Sequence, residues 1–311
     1  MEYINNSDKI LVVGGTGFIG HHLLKETIKR GFSCTSISLN LPVGSRKIEK
    51  VNYVIADINN KSELKSKIGD DYDYVVNLGG YPNHNSLDKG GAKIINSHFI
   101  SVLNLLSVIS RKKIKRFIQI GSSDEYGEAI LGPQVETSRE QPISPYSIAK
   151  VASTHFIQML FRSEQFPGVT LRPFLIYGPG QDEKRFIPQV IKGCLSELKF
   201  PTSEGTQLRD FCHVNDAVNA IMLAMLSNDA NGNIFNIGSG VPVTIRSVVE
   251  LITKIINKGK PIFGEIPLRP GEAMNLYANI EFIQKVLNWE PKVGFQTGIM
   301  NAIDWYQKHD E

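Results

Sequence analysis

The sequence predicts an α/β fold, in which a doubly wound parallel sheet is followed by a smaller mixed α/β domain. Two observations support this prediction. Short apolar runs alternate with longer helix-like stretches through the first half of the chain, which is the pattern of βαβ units. After about Pro173, prolines and glycines divide the chain into smaller pieces. We therefore expect one domain over residues 1–173 and a second over residues 174–311, with a chain that recrosses between them.

Each element of the first domain is predicted from its own run of residues. The strands are expected at Ile10–Val13, Ser33–Leu39, Val51–Ile55, Tyr74–Leu78 and Arg116–Ile120, with a further strand beginning at Val169–Leu171. The helices are expected at about Phe18–Lys29, Ala92–Ser110 and Tyr146–Arg162. In a parallel sheet of this kind, ligands bind at the carboxyl ends of the strands.

The composition is that of an ordinary globular protein. Of the 311 residues, 41% are hydrophobic and 21% are charged, and the net charge is +3. The basic run Arg111–Arg116 lies between a helix-like and a strand-like stretch, so we interpret it as a solvated helix end and expect no nucleic-acid partner. The polar first nine residues and the lack of any apolar run of about 18 residues predict neither a secretory signal nor a membrane span.

The three cysteines carry no chemical signal. Cys34, Cys194 and Cys212 are far apart and have no metal-ligand spacing. We expect each to pack as a small apolar residue, and we expect no metal site. Unpaired cysteines are typical of a reducing compartment, so the cytoplasm is the expected location.

A glycine loop follows the first predicted strand. Gly14, Gly17 and Gly20 form G-x-x-G-x-x-G, which differs in spacing from the standard dinucleotide motif but obeys the same physics. Glycines permit a tight turn, let the backbone approach a pyrophosphate and let the helix that opens with Phe18 and Ile19 pack on the strand, with its N-terminus facing the phosphates. The pattern predicts a Rossmann-type domain with a dinucleotide cofactor.

The end of the second strand bears on which cofactor binds. The standard motif has an acidic residue there to hold the adenosine ribose, whereas this chain has Ser38, followed by Arg46 and Lys47. A hydroxyl with nearby cations suits a 2′-phosphate, so we favour NADP(H), and NAD stays open as the alternative.

Three more residues are predicted at the cofactor site. Asp57, after the third strand, could accept a hydrogen bond from the adenine amino group or could cap the following helix, and both interpretations stay open. The adjacent Ile58, and Leu78 at the end of the fourth strand, are placed in the same site.

A candidate proton-transfer group lies further along the chain. Tyr146 and Lys150 are four residues apart on a predicted helix, so the phenol and the ammonium share one face. A neighbouring cation should lower the tyrosine pKa toward working pH. Ser122, at the end of the fifth strand, could hold the substrate oxygen that Tyr146 protonates.

Together these motifs resemble the extended short-chain dehydrogenases/reductases that act on nucleotide-diphosphate sugars. The similar segments span nearly the whole chain: Gly14–Gly20, Asn77–Gly80, Ser122, Tyr146 with Lys150, Leu171–Pro173, Tyr177–Gly180, Arg209–Asp216, Asn236–Gly238, Arg269–Glu272 and Leu287–Pro291. The resemblance implies that Ser122, Tyr146 and Lys150 are catalytic. It also implies that Tyr177 lies beside the nicotinamide.

The resemblance implies a substrate site in the second domain. Arg209 and Arg269 would bind the phosphates of a sugar nucleotide, and Ser123, Arg185 and Phe186 are further candidates for substrate contact. Family members often pair through a four-helix contact, which here would involve the helices at about Ala92–Ser110 and Tyr146–Arg162, so a homodimer is expected.

One position departs from the family. His98 stands on the helix after the fourth strand where an asparagine is usual. It could substitute for the asparagine in a proton relay or could simply pack, and we favour packing.

The segment after the fifth strand bears on the reaction. The 4,6-dehydratases resemble one another in a Thr-Asp-Glu triplet. An alignment without gaps places Ser122-Ser123-Asp124 there, with serine at the acid position, while a one-residue gap would place Asp124 and Glu125 in the acid and base roles. The same segment is similar to GDP-4-keto-6-deoxy-mannose reductases, and the stretch from Gly178 to Phe211 is similar to CDP-abequose synthase and related 4-ketoreductases.

The leading interpretation is therefore an NADPH-dependent 4-ketoreductase of a nucleotide-diphosphate 4-keto-6-deoxy hexose. A nucleotide-sugar 4-epimerase is the first alternative and a 4,6-dehydratase the second. A non-catalytic NADP-binding regulator is least favoured, because Ser122, Tyr146 and Lys150 are all present.

Overall fold

The computed structural model describes residues 8–127, 132–268 and 271–309. The described residues form thirteen strands: β1 (Lys9–Val13), β2 (Ser33–Ser38), β3 (Val51–Ile55), β4 (Tyr74–Asn77), β5 (Arg116–Ile120), β6 (Gly168–Pro173), β7 (Leu175–Tyr177), β8 (Lys199–Pro201), β9 (Leu208–His213), β10 (Ile234–Ile237), β11 (Pro242–Thr244), β12 (Lys260–Ile262) and β13 (Asn275–Leu276).

The large sheet has seven parallel strands in the order β10-β6-β5-β4-β1-β2-β3. This confirms the predicted doubly wound Rossmann-type fold. The direction of winding reverses between β1 and β4, which are neighbours, and a crevice opens at the carboxyl ends of strands at such a point. The strand β10 comes from the second half of the chain, so the chain returns to the large sheet beside β6.

The helices follow the predicted pattern with one difference. They are α1 (Phe18–Lys29), α2 (Lys61–Lys67), α3 (Gly91–Ile95), α4 (Ser101–Val108), α5 (Pro145–Glu164), α6 (Phe186–Leu195), α7 (Val214–Leu226), α8 (Ile245–Ile256), α9 (Glu281–Leu287) and α10 (Phe295–His309). The helix predicted at about Ala92–Ser110 is interrupted by a π-helical stretch, Asn96–Ile100, between α3 and α4. Such stretches are rare and occur most often at functional sites.

The large sheet is covered on both faces. Leu11, Val75 and Phe117 point to the core layer that includes α4 and α5, whereas Ile10 and Val12 point to the layer formed by α1 and α7. Continuous burial of both faces explains why these strands are apolar runs rather than alternating ones. It also fixes the carboxyl edge of the sheet as a rigid support for the loops that follow.

A smaller sheet and its helices lie beyond that edge. The strands β11, β9 and β13 form one sheet in which β7 also pairs with β9, and β8 pairs with β12. The helices α6, α8 and α10 enclose a second apolar core with Tyr177 and Phe211. None of the helices in the described parts of the chain is long and apolar enough to cross a membrane.

Candidate active site

The glycine loop has the conformation that a dinucleotide requires. Gly14 has a φ of +79°, the Gly17 N–H donates to the Gly14 oxygen at 3.0 Å, and a Cβ on Gly20 would overlap that oxygen. Helix α1 begins after Gly17 with no side-chain cap and no acidic residue in its first turn. Its first N–H groups and the positive end of its dipole therefore fit a pyrophosphate.

An open cleft of about 470 Å³ extends from this loop along the carboxyl edge of the sheet. Six of the predicted cofactor residues line it: Gly14, Gly17, Ser38, Asp57, Ile58 and Leu78. Phe18 and Ile19 instead pack, partly buried, against the core beneath the loop. The size and shape of the cleft suit the adenosine and pyrophosphate portions of a dinucleotide.

The end of β2 offers hydrogen-bond groups and no carboxylate. The Thr16 N–H donates to Ser38 Oγ at 3.3 Å, and Arg46 donates to the Thr16 oxygen at 3.5 Å and to the Gly180 oxygen. Lys47 is exposed. Arg46 thus lies at the mouth of the glycine loop, and among the described residues these bonds account for two of its five N–H donors.

Asp57 does not cap the helix that follows it. Its Oδ1 accepts from the backbone N–H and the side-chain amide of Asn59, both at 2.9 Å, and Asn60 is the residue that caps α2. The alternative of a helix cap is therefore wrong. The carboxylate of Asp57 closes a local turn while it lines the cleft.

The three residues predicted to be catalytic lie together. Tyr146 stands in the first turn of α5, whose start is fixed by a capping box from Ser144. Its phenol is hydrogen-bonded to Ser122, at the end of β5. Lys150 is one turn further on, with its Nζ 5.8 Å from the centroid of the Tyr146 ring and bonded to the Ile120 oxygen at 2.7 Å.

The electrostatics of Tyr146 differ from the sequence-based expectation. Burial, and then the negative charge of Asp124, raise the pKa of Tyr146 well above its usual range, while the hydrogen bond with Ser122 lowers it. Lys150 was expected to lower this pKa, and that expectation is wrong for this structure. Burial lowers the pKa of Lys150 itself to about 8, and its ammonium is directed at the Ile120 oxygen. Tyr146 is consequently a neutral phenol that can donate a proton.

Glu125 is part of the framework. Its side chain is fully buried; Oε2 accepts from Arg172 Nε and Thr154 Oγ1, each at 2.9 Å, and Oε1 accepts from the Ser122 N–H at 2.8 Å. Although Glu125 follows a strand in a loop-like, polar segment of the sequence, it is not solvated. A one-residue gap that makes Glu125 the base of a dehydratase is also disfavoured, because this carboxylate is already paired.

Asp124 has the opposite environment. Its side chain is 34% exposed, and its Oδ2 lies 3.7 Å from His84 Nε2. His84 also packs edge-on against Tyr146, with 5.5 Å between the ring centroids. Sequence analysis missed His84; the available signal was that its loop leaves the carboxyl end of β4, beside the predicted site.

His98 packs against Tyr146, as the favoured interpretation predicts. The side chain is 3% exposed, and its ring centroid lies 4.8 Å from that of Tyr146. Burial, and then the charge of Lys150, lower the pKa of His98 to about 3. The imidazole is therefore neutral at physiological pH.

The predicted substrate residues are divided between the cleft and the second core. The Arg185 guanidinium lies 4.7 Å from the centroid of the Tyr81 ring, and Phe186 packs near Phe211. Ser123 is buried in the turn after β5. Arg185 is close enough to Tyr146 for its charge to lower the pKa of the phenol, so it belongs to the same site.

Of the two arginines predicted to bind phosphate, one lies among the described residues. Arg209 is 8% exposed and donates to Glu272 Oε1 at 2.8 Å. Arg269 lies outside the described residues. A sugar-nucleotide phosphate that binds Arg209 would therefore share its guanidinium with Glu272.

Tyr177 is not available as a side-chain ligand. It is 1% exposed, its hydroxyl donates to the Phe295 oxygen at 3.2 Å, and its ring packs against Phe211 and His213. The prediction that Tyr177 contacts a cofactor is wrong for its side chain, since the second core encloses it. Only the backbone of this segment could contact a nicotinamide.

Proton transfer beside a dinucleotide-type cleft is the chemistry of short-chain dehydrogenase-type enzymes, and the protein is an enzyme of the extended form of this class. Within the class, the chain belongs to the NAD dependent epimerase/dehydratase family, whose model matches residues 10–238. In the part of the chain that the structure describes, no group of three or more His, Cys, Asp or Glu side chains could hold a metal ion.

Similar proteins include both activities in the family's description. A dTDP-glucose 4,6-dehydratase of Streptomyces niveus is 26% identical over 96% of this chain and 93% of its own length. A UDP-glucose 4-epimerase of Thermotoga maritima, solved with UDP-glucose, is 26% identical with a TM-score of 0.87, covering 97% of this chain and 100% of that one. A UDP-glucuronic acid 4-epimerase of Bacillus cereus, solved with UDP-glucuronic acid and NAD, is 26% identical with a TM-score of 0.86, covering 97% and 99%.

Proposed function

We propose that this protein is an NADPH-dependent 4-ketoreductase acting on a nucleotide-diphosphate 4-keto-6-deoxy hexose. The observation that carries the proposal is Ser38 at the end of β2, whose hydroxyl accepts from the Thr16 N–H. A carboxylate at this place would repel a 2′-phosphate, whereas Ser38 accommodates one and Arg46 lies beside it. NADPH is the cofactor suited to a reaction that consumes hydride.

The proton-transfer groups support a reduction. When bound, the reduced nicotinamide supplies the hydride that C4 receives. Tyr146, a neutral phenol, gives its proton to O4, while Ser122 donates a hydrogen bond to the same oxygen. Lys150 is placed to stabilise the tyrosinate left behind and to hold the nicotinamide ribose. Because charge develops on O4 in a largely buried place, these oriented donors contribute more than they would in water.

The substrate class rests on the arginines. We assign Arg209 and Arg269 to the diphosphate, and Arg185, Phe186 and Ser123 to the sugar side of the cleft. Arg185 supports this assignment, because its guanidinium lies over the exposed Tyr81 ring and near Tyr146. Guanidinium groups bind phosphate oxygens through paired N–H donors.

A 4-epimerase is the second candidate. The epimerases among the similar proteins align over nearly the whole chain, and such an enzyme would use the same Ser122, Tyr146 and Lys150. It would first remove a proton from O4, which requires a tyrosinate. The two reactions therefore differ in the state of Tyr146 at the start of the cycle, which is the neutral phenol for a reductase and the tyrosinate for an epimerase.

One experiment separates these functions. The protein is incubated with NADPH and, in turn, with dTDP-, GDP-, CDP- and UDP-linked 4-keto-6-deoxy hexoses, and cofactor absorbance and product mass are recorded. We expect one of them to oxidise NADPH one for one and to gain two hydrogens. When the protein is given the corresponding 4-hydroxy sugars, their interconversion without net cofactor use would establish an epimerase. When it is given nucleotide-linked hexoses that still carry the C6 hydroxyl, loss of water would establish a dehydratase. Either result would overturn the proposal.

We also propose a homodimer through α5 and the helix that precedes it. Ile100, Ile148 and Met159 are large apolar side chains left exposed on these helices, and Ile148 and Met159 lie on one face of α5. Light scattering should give twice the chain mass, and Ile148→Glu with Met159→Glu should give the monomer. A monomeric parent protein would refute this assembly.

A further inference from the structure

His98 fits into a space between Tyr146 and Gly80. The ring lies against Tyr146, at the π-helical stretch that interrupts the helix between α3 and α4. On its other side lies Gly80, where a Cβ would overlap the imidazole. Gly80 has a φ of +101°, a conformation that favours glycine. The imidazole can therefore reach Tyr146 only because residue 80 has no side chain.

The same ring is tethered to the loop after β4. His98 Nε2 lies 3.2 Å from the Tyr81 oxygen. Since a carbonyl oxygen can only accept, Nε2 carries the proton of the neutral imidazole. The Tyr81 side chain is exposed and lies under the Arg185 guanidinium. His98 thus connects α5, through Tyr146, with the loop on which Arg185 rests.

A purely structural residue would not need this imidazole. With Nε2 protonated, Nδ1 is a buried acceptor, and it has no hydrogen-bond partner among the described residues. A buried acceptor without a partner lowers stability, and an apolar side chain of similar size would avoid that cost. A polar group kept at a cost to stability indicates a role in function.

We propose that His98 is a positioning residue for sugar-nucleotide binding, which holds the Tyr81 loop in register with the catalytic helix, and that Gly80 is the residue that admits it. The proposal rests on the assignment of this site to a sugar nucleotide. It adds that affinity on the sugar side depends on a side chain that lies behind Tyr146 and acts through Tyr81 and Arg185.

The test uses two substitutions that differ only in the tether. His98→Gln keeps an N–H donor that can reach the Tyr81 oxygen, whereas His98→Leu has none. We expect His98→Leu to raise KM for the sugar nucleotide about tenfold, with kcat changed no more than about twofold, and His98→Gln to stay within about threefold of the parent in both. We expect His98→Leu to fold as stably as the parent. If it does not, the test is repeated with His98→Asn, whose side chain is too short to reach the Tyr81 oxygen.

Two further variants separate this role from general packing. Ser153→Ala is the matched control, because Ser153 Oγ donates to the His98 backbone oxygen at 2.6 Å and its loss leaves the imidazole in place; stability should fall while KM stays constant. Tyr81→Ala should raise KM as His98→Leu does, and the double variant should be no worse than either. An unchanged KM for His98→Leu, or additive effects with Tyr81→Ala, would overturn the proposal.

A binding measurement keeps this test separate from the proposed reaction. Calorimetry with NADPH and dTDP-, GDP-, CDP- and UDP-hexoses gives Kd without turnover, because a reduced cofactor and a 4-hydroxy sugar have no hydride to exchange. Weaker binding of the best of these hexoses by His98→Leu supports the role of His98 even if the parent reduces no 4-keto sugar, a result that would overturn only the proposed reaction. Equal Kd values for the parent and His98→Leu would refute the role of His98 whatever the reaction proves to be.

Discussion

The side of the cleft that we assign to the cofactor differs in construction from the side that we assign to the sugar nucleotide. The cofactor side consists mainly of backbone: the turn at Gly14 and the uncapped N-terminus of α1, next to buried parallel strands. The sugar side consists of side chains from distant segments, such as Tyr81 with Arg185 and Arg209 with Glu272. The first can be shared by many enzymes, whereas the second can change from one enzyme to another without disturbing the sheet.

The adjacent residues Asp124 and Glu125 show the same division on a smaller scale. Glu125 is fully buried and holds the Ser122 N–H and Arg172 in place, whereas Asp124 is partly exposed and lies near His84 and Tyr146. Two neighbouring carboxylates thus belong to the framework and to the cleft, respectively. Only their tertiary surroundings distinguish them.

The largest expected effect is the loss of turnover when the Tyr146 hydroxyl, which lies where the two sides meet, is removed. Tyr146→Phe removes the proton donor and keeps the ring that packs against His98 and His84. We expect kcat to fall by about 10³-fold, within the range for loss of a general acid, with NADPH affinity unchanged because the glycine loop is untouched. Stopped-flow turnover and fluorescence titration of the cofactor measure the two quantities. Turnover near the parent value would remove Tyr146 from its assigned role.

The next largest expected effect is on stability, and it distinguishes Glu125 from Asp124. Glu125→Gln breaks a buried pair with Arg172, which keeps Glu140 as its other carboxylate partner. We expect the free energy of unfolding to fall by about 1.5–3 kcal/mol, the range for a lost hydrogen bond to a charged group. Asp124→Asn is the matched control and should change it by no more than about 0.5 kcal/mol. Urea denaturation at neutral pH measures both. Equal stability of the two variants would contradict the assignment of Glu125 to the framework.

Lys150 should show a conflict between stability and activity. Its pKa is about 8 in the folded chain against 10.5 for an ordinary lysine, so below about pH 8 the folded protein carries a buried charge at full cost. This cost declines as pH rises from 8 to 10.5, because only the unfolded chain still binds the proton. Lys150→Met should therefore raise the free energy of unfolding at pH 7 by about 1–3 kcal/mol and abolish turnover.

The measurement for Lys150 is denaturation across this pH range. The advantage of Lys150→Met over the parent should shrink between pH 8 and 10.5. A constant difference would show that Lys150 is not the group that titrates there.

The smallest expected effect is on cofactor preference, and it tests Ser38, a side chain at the end of β2 on the cofactor side. Ser38→Asp places a carboxylate where a 2′-phosphate is proposed, and we expect NADPH affinity to fall about 10- to 100-fold while NADH affinity rises. Ser38→Asn, which adds similar bulk without charge, should change the preference much less. Equal loss in both variants would indicate a steric effect and would count against the proposed 2′-phosphate site.

The fold was predictable because its signals are local. Apolar runs mark β1 to β6, and Gly14, Gly17 and Gly20 mark the loop. Ser122, Tyr146 and Lys150 were also predictable, because helix spacing and strand ends fix where such residues must lie. The π-helical stretch at Asn96–Ile100 was not predicted, since apolar periodicity does not distinguish one π-helical turn from the α-helix around it.

The electrostatics could not be obtained from spacing. A lysine four residues from a tyrosine predicts a lowered phenol pKa, yet burial reverses that prediction for Tyr146 and also lowers the pKa of Lys150. The cost of moving charge out of water depends on everything packed around the group. Spacing likewise could not predict that the second apolar core encloses Tyr177, because that enclosure also depends on everything packed around the side chain.

By itself, the sequence determined the parallel sheet, the glycine loop of the cleft and the placing of Ser122, Tyr146 and Lys150 near one edge of the sheet, because each depends on short-range periodicity or on the backbone freedom of glycine. Only the tertiary structure decided which carboxylate supports the framework, which protonation state Tyr146 holds and which side chains meet on the sugar side. Those properties depend on burial and on contacts between residues such as Gly80 and His98 or Glu125 and Arg172, whose separation along the chain contains no information about their distance in space.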